Sequence, residues 1–230
     1  MTWAADEGGV FMVAGLAQRL AAFCLAVAAV AGVRGADFSV TSVAGVVEAG
    51  KAGHELAAVK AGDTFGPGAL VRTGKDGRLG GQIGARNAFV LQPETTVRVR
   101  DPEGLRTSGL CLVLEQGRVE SGLEAWPAGA VYQVRSAAGT FAAQGTAFAV
   151  GYRRGPEGQF IGGTEVTRGE VGFEAPECSV PSLTANGGLS ISRTLGLESV
   201  LLEVTANGNA LTLILGGRHR ISVPAGSTVR

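Results

Sequence analysis

From Asp37 onward, apolar residues recur with period two over short stretches, and no segment of a dozen residues carries a helical apolar stripe. Val97 and Val99 alternate with Arg98 and Arg100, while Leu110, Leu112 and Leu114 share one parity and Cys111, Val113 and Glu115 the other. Each pattern suits a strand with one buried and one wetter face. The same reading predicts strands at Tyr132 to Arg135, Thr146 to Tyr152, Val166 to Phe173, Leu189 to Ser192, Val200 to Thr205, Leu211 to Leu215 and Ile221 to Val223. Gly-based turns separate them, and Asn207-Gly208 predicts a β-hairpin between its flanking strands because both residues tolerate positive φ. The expected fold is all-β: a β-sandwich or an irregular β-solenoid of short strands. No exact repeat is visible. Two prolines within Ala175 to Pro181 (APECSVP) suggest a seam, with a β domain over residues 36–178 and a β-rich extension with a hairpin over 179–230.

The N-terminus has a different pattern. Leu20 to Val33 is an uncharged apolar run between Arg19 and Arg34, short for a membrane span and followed by residues small enough to precede a cleavage site. Residues 1–35 therefore read as a signal peptide with a helical core, cleaved after Gly35. Asp6 and Glu7 are out of place in such a leader, and translation from Met12 would remove them. An uncleaved N-terminal anchor is the alternative. The expected location is the periplasm or cell envelope, with membrane contact only if the leader is retained.

Composition sharpens this picture. At 230 residues, 45% hydrophobic and 17% charged, the chain is built to bury a core. Its 37 glycines and 6% aromatics demand frequent turns and packing by small side chains. Lys+Arg and Asp+Glu both total 20, and no sustained basic run occurs, so no nucleic-acid partner is expected. Cleavage would leave Cys111 and Cys178 in a compartment where a disulfide persists; a pairing of the two stands beside the reading of Cys111 as a small buried hydrophobe.

Three stretches carry a family resemblance. Gly62-Asp63 leads through Gly68 to Leu70-Val71-Arg72-Thr73-Gly74; Phe89 to Val99 (FVLQPETTVRV) is followed by Leu112 to Val119 (LVLEQGRV); and Gly145-Thr146-Ala147-Phe148-Ala149-Val150 is closed by Glu165 to Val171, which contains Gly169. In order and spacing these are similar to the FecR domain of bacterial envelope proteins, over about Val43 to Phe173. The resemblance implies a FecR-like β domain in which Gly62, Asp63, Thr73, Gly74, Gly145, Thr146, Phe148 and Gly169 are structural motif positions. Gln144 stands where the family often has Arg. The best-known members are anti-sigma regulators with a cytoplasmic helical domain, yet fewer than about 20 residues precede the apolar run here, too few for such a domain. Direct sigma-factor binding is not expected.

Signs of chemistry are sparse. His54-Glu55-Leu56-Ala57-Ala58 begins like a zinc-protease motif but has Ala58 where the second His must stand, and His219 is the only other histidine. Gly68 to Lys75 (GALVRTGK) resembles a phosphate loop with the wrong gap, and Asp76 stands where Mg²⁺ coordination needs Ser or Thr. No Gly-x-Ser-x-Gly elbow occurs. Asp63, Glu94, Glu115 and Glu120 could converge as a carboxylate pair without any local signature. The reading is of a non-enzymatic module without metal, cofactor or catalytic residues, which binds or senses an envelope protein or glycan. The alternative is a structural component of the envelope or of a surface assembly.

Overall fold

Alternating apolar positions become strands because each buried parity finds a facing layer, and the Gly-rich breaks between them turn the chain. The computed structural model describes residues 37–51, 53–102, 108–124, 130–196 and 199–230. The expected leader, residues 1–35, lies outside them. The described residues contain strands and turns but no helix.

The strands are β1 (Phe38–Ala44), β2 (Val47–Lys51), β3 (Ala57–Ala58), β4 (Thr64–Phe65), β5 (Ala69–Thr73), β6 (Arg78–Ile83), β7 (Asn87–Leu91), β8 (Thr96–Arg100), β9 (Ser108–Gly122) and β10 (Ala130–Ser136). They continue with β11 (Gly139–Ala143), β12 (Ala147–Arg154), β13 (Phe160–Arg168), β14 (Glu170–Glu174), β15 (Cys178–Thr184), β16 (Gly188–Leu195), β17 (Val200–Asn207), β18 (Leu211–Leu215), β19 (His219–Val223) and β20 (Thr228–Val229).

These strands form two layers. Sheet I runs β4-β1-β6-β7-β9-β12-β13-β16-β17-β20 and is antiparallel throughout. Sheet II runs β3-β2-β5-β8-β9-β10-β11-β14-β15-β18-β19, antiparallel except between β9 and β10. Strand β9 belongs to both: its first half pairs with β8 and β10, its second half with β7 and β12. Between the layers lies one core, from Phe38 and Val40 through Leu79, Leu112, Tyr132 and Phe148 to Val204, Leu213 and Val223. The architecture is thus a β-sandwich laid down as a staircase of hairpins that alternate between the sheets.

A regular joint ties successive windings together. The Thr73 hydroxyl lies 3.2 Å from the Thr95 carbonyl and accepts the Thr95 N–H at 2.8 Å; the Thr95 hydroxyl repeats this at Arg118 (3.2 and 3.0 Å), and that of Thr146 at Glu170 (2.9 and 3.4 Å). The residue before each target has positive φ: Glu94 at 56°, Gly117 at 98° and Gly169 at 81°. The three links span 22, 23 and 24 residues, so a winding of that length recurs although no sequence repeat marks it.

Three features depart from the sequence reading. The Asn207-Gly208 hairpin does not form, because β17 lies in sheet I and β18 in sheet II, and the turn carries the chain between layers. Only Gly208 of the pair has positive φ, whereas the tight hairpin turn needs it at both positions. The real hairpins are β16–β17 and β18–β19. Val166 to Phe173 is not one strand, since Gly169 breaks it into the end of β13 and the start of β14. At Ala175 to Pro181 the chain turns from β14 into β15, with Phe173 opposite Val180 and Glu174 opposite Ser179, and Gly35–Arg230 forms one compact unit.

Candidate functional site

The motif positions of the sequence reading gather at the joints. Asp63 accepts the Lys60 N–H on Oδ2 at 2.8 Å, and its carbonyl accepts the Val40 N–H at 2.8 Å, so Gly62-Asp63 closes the turn that leads into β4. Thr73 is buried at the end of β5, and its hydroxyl also donates to the Gln92 carbonyl at 2.7 Å. The Gly74 carbonyl then accepts the Glu94 N–H at 3.0 Å. Gly145 turns the chain into β12, where Thr146 is fully buried and shares its proton between the carbonyls of Gln144 and Glu170. A Cβ at Gly169 would stand 2.9 Å from the Thr146 hydroxyl, so that joint closes only around glycine. Phe148, Val150 and Tyr152 all face the core, and the Phe148 ring meets the Tyr132 ring edge-on at 6.1 Å.

Among the described residues, no three His, Cys, Asp or Glu side chains gather as metal ligands would. His54 and His219 are both exposed. The HELAA segment runs from a turn into β3, and GALVRTGK forms β5 and the turn after it. The four carboxylates do not converge: Asp63 caps its turn, Glu94 sits in a joint, Glu115 pairs with Arg98 at 2.8 Å and Glu120 with Arg118 at 3.1 Å.

Cys111 and Cys178 are both buried thiols and do not form the disulfide entertained from the sequence. Cys111 is on β9 and Cys178 on β15, with β10, β11 and β14 between them. Four strand spacings place them on the order of 19 Å apart, far beyond the span of a disulfide. Burial pushes the Cys178 thiol up to about 11; Glu177 adds to the effect and Arg193 opposes it. Arg193 in turn closes one end of the sandwich, donating to Glu177 at 2.7 Å and to the Ala137 carbonyl at 3.2 Å.

An open groove of about 470 Å³ lies on the outer face of sheet I. It crosses β9, β12, β13 and β16, and its floor is a row of directly paired small residues: Gly151 opposite Gly163, and Gly163 opposite Ser190. Arg118 pairs with Gly151 across β9 and β12 and stands at the groove wall. Its guanidinium donates to Glu120 at 3.1 Å and to Glu165 at 2.9 Å. The bond to Glu165 is the main cause that raises the Arg118 pKa, and the guanidinium, charged at any physiological pH, is oriented by its two carboxylate partners. Asn207, Arg153 and Ile161 complete the rim. The backbone groups of the floor strands are paired within the sheet, so an extended polypeptide lying in this channel would be hydrogen-bonded by side chains such as Arg118, Ser190 and Asn207.

The sequence reading missed this groove. Arg118 and Glu165 lie 47 residues apart, and Gly151, Gly163 and Ser190 meet only through strand register. The sole local signal is the run of small residues on the outer parity of β12, where Ala147, Ala149 and Gly151 alternate with Phe148, Val150 and Tyr152.

No protein-family model matches the chain, and no curated protein matches it. Two crystal structures, at 2.50 and 1.65 Å resolution, of a "putative anti-sigma factor" from Parabacteroides distasonis align with it. Each shows 17% identity and a TM-score of 0.45, and each alignment covers 58% of this chain and 58% of the solved one. The chain thus matches less than two thirds of the length of these solved chains.

Proposed function

We propose that this protein is an exported, FecR-like, non-catalytic binding and sensing module of the bacterial cell envelope, which receives an extended protein segment in the sheet I groove. The observation that carries the reading is the oriented Arg118 cation beside the Gly151–Gly163–Ser190 floor. A protein segment is favoured over a glycan because the groove's one aromatic lining residue, Tyr152, is a core-facing side chain, which leaves polar, charged, small and aliphatic groups to meet an occupant. The absence of catalytic, metal and cofactor chemistry belongs to the same proposal, as does export through a leader ending at Gly35.

A Cβ at Gly151 would find no neighbour nearer than 4.0 Å, so a long side chain there fills the groove without disturbing the backbone. The test is a photo-crosslinker placed at Ser190 in intact cells. A defined envelope protein should be captured, and Gly151→Lys should abolish that adduct while leaving the melting temperature unchanged. Adducts unaffected by Gly151→Lys would remove the groove from the proposal. Recovery of protein beginning near Ala36 from the envelope fraction checks export; an intact chain from Met1 in the cytosol would sink it. A second reading, a structural component of the envelope, is favoured by the partly uncovered outer edge of β17.

A further inference from the structure

The staircase leaves both of its ends open, in the same way. At the first end of sheet I, β4 pairs with β1 at Phe38 and Ser39 and the turn before it bonds Val40, so that among the described residues Ser42 to Ala44 have no outer strand partner. At the last end, β20 covers β17 only at Val204 and Thr205, leaving Val200 to Leu202 uncovered. Sheet II likewise ends on the two-residue β3 and on β19, which among the described residues pairs only with β18. Such edges are templates for further strand pairing.

Two further observations say what covers them. Among the described residues, the large exposed hydrophobic side chains are Val46, at 57% exposure, in the first winding, Val200 and Leu201, at 39 and 60%, in the last, and Leu195, at 53%, opposite Val200 at the end of β16. Burying such groups against each other is favourable. The two ends also carry opposite charge. In residues 37–65, Asp37, Glu48, Glu55 and Asp63 outnumber Lys51 and Lys60; in residues 199–230, Arg218, Arg220 and Arg230 outnumber Glu203, with which Arg230 pairs. Like ends repel and unlike ends attract, which selects a head-to-tail contact over a two-fold one.

We propose that the last winding of one copy docks on the first winding of a second copy, so that the protein associates head to tail. This does not depend on the groove reading, since no residue of the uncovered edges lines the groove. A head-to-tail contact that does not close on itself propagates, so the product is a series of oligomers.

The test uses the purified full chain in sedimentation velocity over a range of concentrations and salt. Association should strengthen with concentration and weaken as salt rises. Reversing the last winding with Arg218→Glu and Arg220→Glu should weaken it about tenfold or more. Adding Glu48→Lys and Glu55→Lys to that variant, which restores opposite ends, should bring it back. A photo-crosslinker at Leu201 should be captured by residues 37–65 of a second copy, distinguished by isotope labelling. A chain that stays monomeric up to the millimolar range, crosslinks that join last winding to last winding, or a reversed variant not rescued by the second pair of changes would each overturn the proposal.

Discussion

At the scale of single residues, the motif positions act through burial and hydrogen bonding. Phe148 is 3% exposed and packs on Tyr132, whereas Gln144 is exposed. Phe148→Ala should therefore cost about 3–5 kcal/mol through lost burial and a residual cavity, and Gln144→Ala about 0.5 kcal/mol or less. Urea melts of both variants read this directly, and an unchanged midpoint for Phe148→Ala would place its ring outside the core. Cys178 offers a pH test. Below about pH 8 its thiol is protonated in both folded and unfolded chains, so it confers little pH dependence; above that the unfolded chain loses the proton first, and stability falls as pH climbs toward the folded value of about 11. At pH 10 the loss from this group is on the order of 1 kcal/mol. Melts at pH 8 and pH 10 should show Cys178→Val losing less stability than the parent by about that amount, with equal losses counting against a buried thiol. Parity alone placed Phe148, Val150 and Tyr152 on one layer, because strand alternation is a local property.

Strands and their joints are the scale at which reading the sequence was least complete. Strands β8, β10, β12, β16 and β17 follow from alternation, but β6, with Gly80-Gly81 in its middle, is not among the strands that alternation predicts. Gly81 is a strand residue because it faces Phe89 across the pair, where a Cβ would run into the aromatic ring. The Asn207-Gly208 turn fails for a related reason: residues that tolerate positive φ serve an inter-sheet corner as well as a hairpin, and nothing local says which sheet follows. Joint glycines and groove glycines should then respond differently to the same change. Gly117 has φ of 98°, and its Cβ would strike Thr95, so Gly117→Ala should cost more than the roughly 0.5 kcal/mol of an ordinary surface change. Gly151→Ala meets nothing nearer than 4.0 Å and should be close to neutral. Chemical denaturation ranks the two, and an equal effect would contradict the joint.

Across the whole molecule, the core runs without a break past the proline-bearing turn at Ala175 to Pro181. Prolines there suggested a seam because they remove ladder donors, but Pro181 lies on a strand stretch where the β14–β15 register already shifts between Val171 and Phe173. Residues on both sides should consequently unfold together. Hydrogen exchange at low denaturant is expected to give β5, β12, β16 and β18 a common opening free energy, and early release of β16 to β19 alone would restore the seam. The groove and the open ends were beyond local reading for one reason: both are products of register between strands far apart in the chain.

Strand β9 also sets how the molecule bears force. Of its 15 residues, Cys111–Val113 are paired on both sides in one sheet and Val119–Gly122 on both sides in the other. A load pulled from Arg230 meets β20 and the later hairpins end-on and should peel them a few bonds at a time. When it reaches β9, four neighbouring strands resist together. Stretched from that end in an optical trap, the chain should lengthen in small steps at low tension and then hold until one large rupture. A single large rupture at the outset would show that the load is shared from the start.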